Sequence, residues 1–285
     1  MSPGEFQPPV GQPVELALTA GNDFAGTTLP RINDRFTDFG LRVPDGKRLP
    51  IAGAVGADPA GRFIPEQPGL YVANYQTTRT FVEIPPRRFN KYLTMEGLEH
   101  VLPWRVRLGE ATRNAKEYYS RSVKTLINVA PDQAPANHKR HGYRHDFGMP
   151  IELIPLRNPY TLKPGDRLPV RVRYLDQPLV NVLVIAFHEL APNVKQTVRT
   201  DAHGEAGITL HRPGQWLVKA THIIRAPEAA LHEYEWESFW AALTFELNAP
   251  AAALPHSVRK PITPTPKRPA PWENTAPSAL ADPPR

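Results

Sequence analysis

Proline stands at 34 of 285 positions and recurs along the whole chain, a density that no architecture of long helices tolerates. Inside a helix each proline removes a backbone donor and clashes with the preceding turn, which leaves strand ends, turns and first helical turns as its places. The prolines form two groups. Ten lie in residues 249–285, a stretch of low hydrophobicity and no periodicity. Such a stretch cannot offset its ordering entropy, so a disordered tail is expected there. The other 24 punctuate residues 1–248 between alternating apolar runs, the pattern of turns between strands.

The body contains an internal repeat. Asp58-Pro59-Ala60-Gly61, then Pro68-Gly69-Leu70-Tyr71-Val72-Ala73, is matched by Asp201-Ala202-His203-Gly204, then Pro213-Gly214-Gln215-Trp216-Leu217-Val218-Lys219-Ala220. Upstream, the run from Val10 to Leu18 matches that from Pro164 to Val172. Each unit is a D-x-x-G turn, a P-G turn and a strand, with glycine supplying the unusual backbone angles the turns need. The expected fold is mainly β: two immunoglobulin/transthyretin-like β-sandwich modules with a short helical insertion.

The expected boundaries follow the same punctuation. Residues 1–84 form an N-terminal sandwich module and 85–129 a helical insertion plus connecting strand. Residues 130–149 form a basic, histidine-containing loop, 150–248 a C-terminal sandwich module and 249–285 the proline-rich tail. Within the insertion, Phe89, Tyr92 and Leu93 share a helical face after Pro85-Pro86, and Leu98, Val101 and Leu102 suggest a second short helix. Thr112 is placed to cap a helix through about Tyr119. In the second module, residues 180–187, 216–224 and 236–247 read as strands.

Chemistry is sparse. There is no cysteine, so thiol catalysis and thiolate metal sites are excluded. G-x-S-x-G, P-loop, dinucleotide-fold and H-E-x-x-H signatures are absent, and an enzyme is not expected. No run of 18 apolar residues marks a membrane-spanning helix. The net charge is +6, of which the tail supplies five basic against two acidic residues, so the body is only weakly basic. A nucleic-acid partner is therefore not expected.

Histidines and carboxylates are what remains for a metal. His222 continues the face of Trp216, Val218 and Ala220, and a returning strand would bring His232, Glu235 and Glu237 to the same end. That set is chemically adequate for a divalent ion such as nickel or cobalt; the alternative is a structural histidine. His138, His141 and His145 form a second candidate set, opposed by the interspersed Lys139, Arg140 and Arg144 and alternatively read as a solvated basic loop. Trp216, Trp236 and Trp240 are read as either core or an exposed platform.

The ordered motifs carry a family resemblance. Phe6-Gln7-Pro8-Pro9-Val10-Gly11, Ala20-Gly21-Asn22-Asp23-Phe24 and Pro68-Gly69-Leu70-Tyr71-Val72-Ala73-Asn74-Tyr75 come first. Tyr92-Leu93-Thr94-Met95-Glu96-Gly97, Pro150-Ile151-Glu152-Leu153-Ile154-Pro155, Trp216-Leu217-Val218-Lys219-Ala220-Thr221-His222 and Trp236-Glu237-Ser238-Phe239-Trp240-Ala241 follow in the same order. Together they resemble a bacterial domain-of-unknown-function family related to the periplasmic component of cobalt/nickel uptake transporters. The resemblance implies an exported, periplasmic, non-enzymatic protein that assists divalent metal uptake beside a membrane transporter component or another cell-envelope partner. Family members begin with a signal peptide and a histidine-bearing stretch; the run from Met1 to Phe6 shows neither. The alternative function is a structural or adhesive β-sandwich module that binds a protein or polysaccharide partner without metal.

Overall fold

The computed structural model describes residues 1–22, 24–133 and 142–249. The expected tail beyond Ala249, and the candidate ligands His138 and His141, lie outside the described residues. The first half forms β1 (Ser2–Pro3), β2 (Val14–Asn22), β3 (Ala25–Leu29), β4 (Phe36–Arg42), β5 (Arg48–Pro50), β6 (Gly61–Phe63), β7 (Gly69–Thr77) and β8 (Thr80–Ile84). Helices α1 (Pro86–Met95) and α2 (Val101–Arg107) and the long strand β9 (Ala115–Val129) follow. The second half forms β10 (Ile151–Pro155), β11 (Arg167–Tyr174), β12 (Gln177–Pro178), β13 (Leu183–His188), β14 (Gln196–Arg199), β15 (Glu205–Thr209), β16 (Gly214–Arg225) and β17 (Trp236–Leu247).

The fold is mainly β and sandwiched, as the punctuation implied. Its largest element is a nine-stranded sheet in the order β14-β13-β16-β17-β9-β7-β4-β5, with β8 added beside β9. Two four-stranded sheets flank it: β1-β2-β3 with β6 on β2, and β10-β11-β12 with β15 on β11. The repeat is thus topological. In each half the strand after the D-x-x-G turn returns to the flanking sheet, β6 to β2 and β15 to β11. The P-G turn then delivers β7 or β16 to the central sheet, Gly69 and Gly214 taking φ of 131° and 116°. The halves meet where β17 runs parallel to β9, so both sandwiches share one sheet.

Parallel joining has a consequence for the faces. Leu70, Val72 and Leu126 pack with the β10–β11–β15 side, whereas Tyr71, Ala73, Tyr75, Val123, Ile127 and Val129 pack with Val14, Leu16 and Leu18 of β2. Successive strand residues point to opposite faces. The two flanking sheets therefore cover opposite faces of the central one. β7 and β9 are buried on both sides, which is why Leu70-Tyr71-Val72-Ala73 reads as an unbroken apolar run.

The helical insertion packs beside the β2 sheet on its face of the central sheet. Phe89, Leu93, Leu98 and Val101 cluster with Ile223 of β16 and Trp236 of β17. Phe89 and Leu93, fully buried, contribute on the order of 1.5–3 kcal/mol each. The helix expected from Thr112 to Tyr119 does not form. β9 begins at Ala115, because β8 and β17 pair with it on both edges and ladder pairing overrides the local cap signal. Trp216 and Trp236 are each 1% exposed and belong to the interior, while Trp240 is half-buried and stacks on Tyr92 at 5.5 Å, so the three form no shared exposed platform.

A candidate binding cleft at the end of β13

β13 pairs with β16 from Val184↔Ala220 to His188↔Trp216, yet β16 continues to Arg225. The strand expected over 180–187 starts only at Leu183, because the chain peels away before it. Asn181 adopts φ 60°, a turn conformation that asparagine tolerates. Thr200 holds the departing chain: Asn181 N–H donates to the Thr200 carbonyl, Val182 N–H to Thr200 Oγ1, and that hydroxyl donates to the Leu179 carbonyl at 2.6 Å. Beyond Ala220, this edge of β16 has no strand beside it among the described residues.

The other wall is the 97–100 loop between α1 and α2. Glu96, 5% exposed, accepts from Lys219 Nζ at 2.7 Å and Thr221 Oγ1 at 3.0 Å, which fixes the end of α1 on the sheet. Gly97 follows with φ 74°, and a Cβ there would lie 2.4 Å from Leu183 Cβ. Only glycine fits this turn. Arg199 braces the two walls, donating to the Gly97 and Asn181 carbonyls and to Glu99 Oε2 at 3.0 Å.

Between these walls lies a cleft of about 480 Å³ that includes Leu98, His100, Val180, Asn181, Thr221 and His222 in its lining. Small-ligand clefts usually hold roughly 300–1,000 Å³. The His222 ring is half-buried and rests against Tyr174 at 4.8 Å between ring centres. Among the described residues no hydrogen bond to its imidazole is found. Burial, with a smaller push from His100, brings its pKa down to about 4, so the ring is neutral near pH 7. A more open depression of 420 Å³ over β4 and β5 has its charges occupied: Arg48 pairs with Asp38, and Arg31 lies over Phe36 at 4.9 Å.

Among the described residues the ligands expected around His222 do not come together as a metal site. No group of three histidine, aspartate or glutamate side chains able to hold an ion occurs among the described residues. Glu235 accepts the Lys116 N–H at 2.7 Å, Glu237 pairs with Arg79 at 3.0 Å, and His232 is exposed on the connecting turn. The hairpin did form, but its carboxylates are committed to β9 and to the segment before β8, leaving His222 without the ligands expected beside it. His145 sits in a packed segment where its carbonyl accepts Lys124 Nζ at 2.9 Å, and burial with nearby Arg42 lowers its imidazole to about 4.

Two buried ionic groups escaped the sequence reading. Glu117, 2% exposed, accepts from Ser238 Oγ and from Tyr92 OH at 3.3 Å, and burial raises its carboxyl to about 7. Lys124 pairs with Glu152; burial lowers the amine and raises the acid. Both are sealed in packing, and neither lines the cleft. A charged residue within an alternating strand is the only signal sequence offered for either.

Comparison with known proteins adds a family and little else. Among curated proteins none matches this chain. Solved structures that resemble it include a tetra-tandem repeat from the extending region of a large adhesion protein and the D0-D1 domain of intimin. The first is 12% identical at TM-score 0.22, covering 87% of this chain and 48% of its own, so the chain spans about half its length. The second is 13% identical at TM-score 0.19, covering 85% of this chain and 95% of its own. Values this low carry no inference about topology or function. Residues 1–224 match the family described as Domain of unknown function (DUF4198), which places the repeat, the helical insertion and the cleft inside one family, and the chain belongs to it.

Proposed function

We propose that this chain is a non-enzymatic binding module and that it takes its ligand in the cleft at the end of β13. The observation that carries the reading is His222. A neutral imidazole without a hydrogen bond among the described residues lines a cleft bounded by a glycine-specific turn and an arginine brace. By contrast, Glu117, whose carboxyl burial raises to about 7, is 2% exposed and closed off from solvent. This agrees with the partner-binding alternative drawn from the sequence. An exported location belongs to the same reading and rests on the family resemblance alone.

The test is a protein-detected NMR screen of the full chain with small amides, carboxylates, sugars and dipeptides. Binding shifts concentrated at Gly97, Asn181 and His222 support the reading. Hits scattered over the surface, or none in the cleft, overturn it. A second reading, nickel or cobalt held by His222 and His100, is favoured by their joint place in the cleft lining. Two imidazoles make a weak site. Titration with Ni²⁺ that broadens both imidazole signals together supports that reading, and signals left sharp refute it.

A further inference from the structure

We propose that the outer face of the helical insertion docks this protein onto an anionic lipid surface. The inference goes beyond the cleft reading and does not depend on it. Residues 85–113 carry six Lys or Arg and three Glu. The second half of the chain takes up all three acids. Glu96 pairs with Lys219 at 2.7 Å, Glu99 with Arg199 at 3.0 Å and Glu110 with Arg225 at 2.5 Å. The insertion's own cations are thereby left uncompensated. Arg105 is buried and donates to the Glu110 and Arg113 carbonyls, and Arg113 comes only within 3.9 Å of Glu110. Arg87, Arg88, Lys91 and Arg107 are exposed and form no ion pair among the described residues.

These cations share a surface with exposed apolar side chains. α1 buries Phe89 and Leu93, and Arg87, Arg88, Lys91 and Met95 recur at helical spacing on its opposite side. α2 buries Val101 and Arg105 and turns Trp104, Val106 and Arg107 outward, with Leu108 just beyond its end. Met95, Trp104, Val106 and Leu108 are 42%, 45%, 67% and 50% exposed. Both helices pack on the same face of the central sheet, so their outer sides look away from it together. A lipid interface suits this mixture. The indole and the aliphatic tips enter the acyl boundary while the cations meet headgroup phosphates. An acidic protein would answer the charges alone, and the apolar tips of α2 stand outside the cleft, whose lining includes no residue of that helix.

Co-sedimentation of the full-length protein with vesicles of phosphatidylcholine and phosphatidylglycerol in equal parts tests this, with pure phosphatidylcholine vesicles beside them. Arg88→Gln with Lys91→Gln removes two cations from the face, and Val106→Asn removes an apolar tip. Lys47→Gln with Arg62→Gln, and Val55→Asn, are the matched controls at exposed positions elsewhere. Thermal melting checks that the variants fold. The expected result is binding to the mixed vesicles that weakens as salt rises and is absent with phosphatidylcholine alone. The paired glutamines in the insertion should weaken binding about tenfold or more and V106N severalfold, with the controls like wild type. No binding to the mixed vesicles, or equal binding to the neutral ones, overturns the proposal. Binding that the insertion variants leave unchanged gives the contact to another part of the chain, residues 249–285 with five basic against two acidic residues above all, and also overturns it. Capture of poly-glutamate without binding to vesicles gives the face to an acidic protein and overturns it as well.

Discussion

Thr125 and Thr244 meet hydroxyl to hydroxyl at 2.8 Å inside the parallel pair of β9 and β17, directly opposite each other in register. The Met1 carbonyl lies 3.1 and 2.8 Å from the two hydroxyls and accepts from the one that does not donate to its neighbour. The contact lies at the seam between the two halves and ties the start of the chain to both. Thr125→Val or Thr244→Val alone strands a buried polar partner and should cost about 1–3 kcal/mol in urea unfolding. The double valine variant should lose less than the sum, since one pair is removed only once. All three should unfold in a single transition, because the halves share a sheet; two separate transitions would contradict that sharing.

Glu117 makes stability depend on pH. Its folded pKa, about 7, lies above the ordinary 4.5, so its contribution is complete below about 4.5 and disappears as pH rises through 7. Ionising it in place costs on the order of 3 kcal/mol. Urea unfolding at pH 5 and pH 9 should show that loss in wild type, and a loss smaller by about that amount in Glu117→Gln. Equal losses in the two proteins would show that Glu117 titrates normally.

The Lys124–Glu152 pair should respond asymmetrically. Lys124→Met leaves a buried carboxylate that still accepts the Phe147 and Met149 N–H groups, and should cost about 3–5 kcal/mol. Adding Glu152→Gln keeps an acceptor for those amides and removes the charge, so the double variant should recover much of the loss. Chemical denaturation of the two variants checks this.

Gly97 and Gly109 give a matched contrast in thermal melts. Both take positive φ, 74° and 66°, but a Cβ at Gly109 meets open space while one at Gly97 collides with Leu183. Gly109→Ala should cost about 1–2 kcal/mol through backbone strain alone. Gly97→Ala should cost clearly more and also disturb ligand binding in the cleft.

The turn chemistry made the fold legible. Paired D-x-x-G and P-G signals located β6, β7, β15 and β16, and the bounds of β17 fell where Trp236 and Leu247 suggested. The parallel seam was not legible, since nothing in β9 or β17 separately specifies which edge each will use. Residues 115–119 were misread because Thr112 resembles a cap and only long-range pairing shows otherwise. His222 was found from its place on an alternating strand. Sequence places Glu235 and Glu237 near it but cannot show that Lys116 and Arg79 hold them. His100, Asn181 and Arg199 come from distant segments that only the tertiary fold brings together.

The titration of the His222 ring in the full-length protein tests the cleft account most directly. The imidazole is half-buried against Tyr174, and burial brings its pKa down to about 4. The predicted result is a ring signal that stays that of the neutral imidazole from about pH 8 down to about pH 5 and moves when a cleft-bound fragment is added. A ring that titrates near the ordinary 6.5 and is indifferent to every fragment would mean that His222 is solvated and that the cleft is not a binding site.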